Sequence, residues 1–158
     1  MRRLRPGQNS SSFGGVTPFD RQVRVQIYRH VLASSEGPSV AQIAAERGWA
    51  PDEVAEAFHR LASEHRIVLL PEEDRVWMAH PFSGVETGYE VIVGNRSWFA
   101  NCAWDALGVL ALMGDGIAIS AHGETELVWS VANGTVSPDG VIHLPVPARE
   151  FWDDIGFT

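Results

Sequence analysis

A chain of 158 residues with 45% hydrophobic side chains, including six Trp and seven Phe, can bury one medium domain or two small ones sharing an interface. Twelve basic residues against twenty acidic ones give a net charge of −8, and every basic residue is arginine. The lack of lysine excludes P-loop, Schiff-base and Ser–Lys chemistry.

Charge is unevenly spread. Residues 1–70 hold nine Arg and seven acids, whereas residues 71–158 hold three Arg and thirteen acids. The second half should therefore repel nucleic acid and anionic lipid. No apolar run reaches the roughly 18–20 residues that a membrane helix needs; the longest, Ala106–Met113, falls well short. No membrane partner is expected. The single cysteine excludes an internal disulfide and fits a reducing, cytoplasmic setting.

Residues 1–16 read as a flexible basic tail rich in Gly and Ser, with no apolar stretch that would make them a secretory signal. Thr17-Pro18 then supplies an N-cap and a first-turn proline. Val23, Ile27, Tyr28, Val31 and Leu32 follow at helical spacing, predicting a helix over 18–33. Ser39 caps a second helix, with Val40, Ile43 and Ala44 facing inward and Gly48 ending it. Pro51-Asp52-Glu53 opens a third, whose apolar stripe is Val54, Phe58, Leu61 and Ala62.

Two short β-rich runs, Ile67–Leu70 and Val76–His80, complete residues 17–80. Three helices followed by a hairpin is the winged-helix order. Many such modules read DNA, but here the third helix carries Asp52, Glu53, Glu56 and Glu64 against Arg60 and Arg66. The hairpin tip adds Glu72, Glu73 and Asp74. A groove-reading helix meets phosphates with basic side chains, so a packing or dimerising role is expected and DNA is not.

Pro81–Gly88 reads as a linker into a second domain over 81–158. There Tyr89–Val93 alternates as a strand, Ser97–Met113 reads as one helix, and Gly114-Asp115-Gly116 turns the chain. Ile117–Ala121, Glu126–Val131 and Val141–Val146 read as strands, with turn signals at Asn133-Gly134 and Asp139-Gly140. Ala148–Asp154 has the makings of a further helix. The fold class expected is α+β.

The chemistry concentrates in Phe99-Ala100-Asn101-Cys102-Ala103-Trp104-Asp105-Ala106-Leu107. Cys102 and Asp105 stand three apart, which places them on one helical face. With Ser97 or Asn101 as the cap, both fall in the first two turns. Backbone N–H groups there favour anions and should lower the thiol's pKa. A lone cysteine in an apolar helix is otherwise a small buried hydrophobe, and a first-turn Asp a partner of the helix dipole. His80, His122 and His143 show no ligand spacing, and no zinc motif is present. A Cys–His dyad of Cys102 with His122 or His143 has no local support.

The run Phe-Ala-Asn-Cys-Ala-Trp-Asp-Ala-Leu resembles the catalytic segment of the alkylmercury (organomercurial) lyases, in which Cys-Ala-x-Asp opens the central helix of the core. Pro81-Phe82-Ser83, the Tyr89–Val93 strand and the Ile117–Ala121 strand resemble that segment's flanks. The resemblance covers most of the chain from about Thr17 and is most specific over residues 81–131. It implies an N-terminal winged helix before an alkylmercury-lyase-like mixed core. It also implies thiolate capture of an organomercurial by Cys102, the mercury ligand, and protonolysis of the carbon–mercury bond by Asp105. No cofactor is implied; external thiols would remove Hg(II).

The family's second catalytic cysteine follows a segment resembling Phe151–Thr158, and this sequence holds no second cysteine. A shortened chain and a single-thiol member both fit. A non-catalytic binder of soft metals or small ligands on the same fold, and a winged-helix regulator, are the competing expectations. A homodimer is a further one.

Overall fold

The computed structural model describes residues 15–156. The basic tail expected over 1–16 lies outside them up to residue 14. Helix α1 spans Pro18–Ser34, α2 Val40–Arg47 and α3 Pro51–Ser63, close to their sequence expectation. Capping sets the first two boundaries. The Asp20 N–H donates to Thr17 Oγ1 at 3.1 Å while the Thr17 N–H donates to Asp20 Oδ2 at 2.8 Å, a reciprocal capping box. Ser39 and Gln42 repeat it at α2.

Asp20 is fully buried and also receives Arg60 of α3, with Nη2 at 2.9 Å from Oδ1 and Nε at 3.2 Å from Oδ2. Burial by itself would raise this carboxyl. The Arg60 guanidinium and the Thr17 hydrogen bonds outweigh burial and hold it below its ordinary range. One side chain thus caps α1 and ties it to α3.

Strands β1 (Val68–Leu69), β2 (Val76–Ala79) and β3 (Phe82–Ser83) form an antiparallel sheet in that order. Ala79 pairs with Phe82, so β2 and β3 meet through the two-residue turn His80-Pro81. The expected linker Pro81–Gly88 therefore contains a strand. Gly84, just past β3, packs backbone to backbone against Gly37, whose N–H donates to the Gly84 carbonyl at 2.8 Å. A Cβ at either glycine would collide with the Val76 carbonyl.

The second sheet holds β4 (Tyr89–Val93), β5 (Arg96–Phe99), β6 (Gly116–His122), β7 (Thr125–Ala132) and β8 (Thr135–Ser137), antiparallel throughout in the order β5-β4-β6-β7-β8. Helix α4 (Ala103–Met113) packs on it through Ala106, Val109 and Leu110.

Three expectations need correction. The helix expected over Ser97–Met113 begins only at Ala103, because Gly94, at φ 62°, turns residues 96–99 back as a strand. Trp98, an apolar residue that suits a helix equally well, is buried beside its cross-strand partner Val91. Val141–Val146 forms no strand: Val141 is 95% exposed, and sheet pairing ends with β8. Ala148–Asp154 makes only a single 3-10 turn, Ala148–Glu150, none of whose residues is buried.

A single hydrophobic cluster runs through the molecule, from Val23, Ile27, Phe58 and Leu61 to Val91, Trp98 and Leu110. Edge-on aromatic contacts link its halves: Tyr28 to Phe82 at 6.5 Å and Phe82 to Trp98 at 6.4 Å between ring centroids. Among the described residues no helix is long and apolar enough to cross a membrane.

Candidate active site

The N-terminus of α4 brings the sequence-identified pair together. Cys102 is the N-cap itself, with extended backbone (φ −157°), and its Sγ accepts the Asp105 N–H at 3.5 Å. Neither Ser97 nor Asn101 caps the helix. Ser, Thr, Asp and Asn are the usual caps because oxygen accepts strongly; sulfur accepts weakly. A thiol here gives up helix stability and gains a nucleophile held by the first turn.

The expected lowering of the thiol pKa is overturned. Burial pushes Cys102 above its ordinary value and the neighbouring Asp105 charge adds to this, against the Asp105 and Trp104 backbone N–H groups. Helix-start reasoning omits both opposing effects, one of which comes from the carboxyl that makes the motif interesting.

Asp105 points its carboxyl away from the cap and into a polar cluster. Its Oδ2 accepts from Asn101 Nδ2 at 2.8 Å and lies 3.1 Å from His80 Nδ1. Asn101 Nδ2 also lies 3.4 Å from the Pro81 and Phe82 carbonyls. Every acceptor in reach lies on the amino side of this amide, which fixes its orientation. The cost is that Asn101 Oδ1 is buried with no partner among the described residues, a penalty of about 1–3 kcal/mol.

His80, at the β2–β3 turn, is held from two sides. Tyr28 Oη of α1 donates to its carbonyl at 2.8 Å, and the Trp152 ring meets its imidazole edge-on at 6.3 Å. Trp152 stacks in turn on His65, with ring centroids 3.9 Å apart. The sequence marked His80 only as an ordinary histidine, whereas the fold puts it against Asp105. The available signal was its place directly before Pro81-Phe82-Ser83, one of the segments carrying the family resemblance. His143 is exposed, and the His122 side chain lies outside the described residues. No histidine hydrogen-bonds Cys102 among the described residues, so the dyad gains no support.

These groups open on a cavity of about 340 Å³ whose walls are Met78, Trp104, Leu144, Ala148, Phe151 and Ile155 with Gly156, and whose polar corner is His80, Asn101, Cys102 and Asp105. An apolar pocket with a few convergent polar groups is the usual form of a small-molecule site. Among the described residues no group of three or more His, Cys, Asp and Glu is placed to hold a metal ion.

Fold and site together define a small mixed α/β protein with a cysteine–carboxyl pair at the edge of an apolar pocket. Residues 82–156 match the family model for alkylmercury lyase. The structure also resembles that of the mercury-bound form of MerB2, with a TM-score of 0.61 at 21% identity, over 79% of this chain and 63% of that one. Over residues 82–156 the chain is thus similar to the alkylmercury lyases. It spans less than two thirds of that structural relative, and at this identity the likeness speaks for the fold alone. No curated protein matches the sequence.

Proposed function

We propose that Cys102 captures the mercury of an organomercurial and that Asp105 protonates the carbon as the carbon–mercury bond breaks. The observation that carries this reading is the junction of the two groups, Sγ accepting the Asp105 N–H at 3.5 Å at the wall of an apolar cavity. Hg(II) is soft and prefers thiolate to oxygen or nitrogen donors. An apolar cavity suits the hydrocarbon portion.

The thiol displaces the exchangeable ligand of the mercury, forming a sulfur–mercury bond while that ligand leaves with the thiol proton. The carbon–mercury bond then breaks with its electron pair on carbon, which takes the proton of the Asp105 carboxyl and leaves as hydrocarbon. Hg(II) stays on Cys102 until an external thiol exchanges it away. Because burial raises the Cys102 thiol, capture should quicken as pH rises through and above neutrality.

A non-catalytic binder on the same fold is the second reading. It is favoured by Cys102 being the sole cysteine in the 158 residues, since a second sulfur would load the mercury with electron density. The helices α1–α3 with the β1–β2 hairpin form, in this reading, a winged-helix-type domain over residues 17–80 that packs rather than reads DNA. The exposed acids Asp52, Glu53 and Glu56 on α3 support that role.

The test is hydrocarbon released from phenylmercury with excess external thiol. The unaltered chain should release benzene slowly. Cys102→Ser should abolish capture, and Asp105→Asn should keep capture while losing about 100-fold or more in release. Release by Cys102→Ser at the unaltered rate would sink the mechanism. Tight capture without release by the unaltered chain would select the non-catalytic binder.

A further inference from the structure

Resting on the proposed capture at Cys102, we infer that residues 144–156 form a compartment for an aryl group, with Ala148 and Phe151 setting the choice, so that arylmercury compounds are the substrate class. The cavity is divided by chain segment. Its polar side chains, His80, Asn101, Cys102 and Asp105, come from the β2–β3 turn and the approach to α4 with its first turn. Everything that 144–156 contributes is apolar: Leu144, Ala148, Phe151, Ile155 and Gly156. Two-coordinate mercury holds sulfur and carbon in line. A hydrocarbon on Cys102-bound mercury therefore leads away from the sulfur and into the rest of the cavity.

Volume and wall chemistry then select the hydrocarbon. The cavity measures about 340 Å³, roughly twice the ~150 Å³ of an apolar cavity that encloses benzene. A phenyl ring with its mercury occupies that space. A methyl group would leave most of it to water lying against Leu144, Phe151 and Ile155, which offer no hydrogen bond. Phe151 and Trp104 present rings on two sides, the latter 67% exposed at the α4 side. Ring-to-ring contact is worth about two- to tenfold in affinity beyond area alone, and a ring has no internal torsions to freeze. Ala148 is the smallest side chain that this wall contributes, and it leaves the width a ring needs. It opens a 3-10 turn with no buried residue, so a larger side chain there fills the cavity and not the core.

Exchange with free 2-mercaptoethanol isolates the compartment, because a sulfur–mercury bond stands on both sides of the equation. The mercaptoethanol complex of the mercurial plus the Cys102 thiol gives the Cys102-bound mercurial plus free mercaptoethanol. Asp105→Asn keeps the captured species uncleaved. In that chain the exchange constant should be about 30-fold or more larger for phenylmercury than for methylmercury. An n-hexylmercury, with as many carbons as phenyl, should fall about two- to tenfold below phenylmercury. Adding Ala148→Phe should cut the phenyl-to-methyl ratio about tenfold or more, and Phe151→Ala should bring phenyl and hexyl together. Calorimetry of toluene binding to the mercury-free chain reads the same wall without any mercury, and Ala148→Phe should remove that binding.

A phenyl-to-methyl ratio near one, or hexylmercury held as well as phenylmercury, would overturn the aryl assignment. Phenyl and methyl constants that fall equally in Ala148→Phe would overturn it too, since the wall would then support the fold without choosing the hydrocarbon. If no mercurial exchanges onto Cys102 while toluene binds and Ala148→Phe removes it, the proposed capture falls and the aryl compartment stands. Toluene binding that is absent, with a ratio near one, leaves capture standing and removes the compartment.

Discussion

The helical front of the molecule and its last forty residues handle apolar surface in opposite ways. In α1–α3, Val23, Ile27, Val54, Phe58 and Leu61 are all fully buried, and Asp20 is satisfied by both Thr17 and Arg60. From β7 onward, Leu127, Val128, Val136, Val141 and Leu144 stay exposed, and among the described residues no helix or strand follows Ser137 except one 3-10 turn. The cavity lies between β2 with the β2–β3 turn, the start of α4 and residues 144–156. The β2–β3 turn and the start of α4 hold its polar groups, while the irregular segment 144–156 supplies much of its apolar wall, beside Met78 and Trp104. Chemistry needs fixed geometry, and a wall meeting hydrocarbon needs only shape and dryness.

The contrast can be broken by substitution. Phe58→Ala, deep in the helical front, should cost about 3–5 kcal/mol in denaturant unfolding; a loss below ~1 kcal/mol would mean this half is no better packed than the other. Asp20→Asn comes next, at about 1–3 kcal/mol, because the remaining Arg60 charge is 37% exposed and can turn to water.

Its pH signature is also defined. The folded Asp20 carboxyl is held below its ordinary value, so its stabilisation is fully present above the unfolded pKa of about 3.9. It is lost as pH falls from there through the folded value. The unaltered chain should lose stability over that acid window more steeply than Asp20→Asn, and parallel acid limbs would remove Asp20 from the account. Smallest of all, Val141→Ser at a 95% exposed position should change stability by no more than about 0.5 kcal/mol. A larger loss would show that the irregular region carries more of the fold than its exposure suggests.

The same contrast separates what was legible in the sequence from what was not. The helices α1–α3 declare themselves because an opening signal, a Thr or Ser cap for α1 and α2 and a first-turn proline for α3, is followed by a 3.6-residue stripe. Ser97–Phe99 reads as part of the following helix because Trp98 and Phe99 suit either period, and only pairing with β4 decides between them. The Cys102–Asp105 pair was legible because it is local. Its partner His80 is 25 residues away and reaches Asp105 only through the meeting of a strand turn with a helix start. The thiol's raised pKa was missed for a related reason: burial is a property of the fold, and no helix-start rule contains it.

The Gly37–Gly84 contact bears on any transplant of this site. The two backbones touch where the chain leaving α1 meets the chain leaving β3, and a methyl on either meets the same Val76 carbonyl. Substitutions there cannot compensate one another, since enlarging one side leaves the other no room to shrink. The seam between the segment after α1 and the segment after β3 is therefore keyed by two missing side chains. An engineer grafting residues 82–156 onto a different front would have to carry the matching notch across, or rebuild β2 to make room.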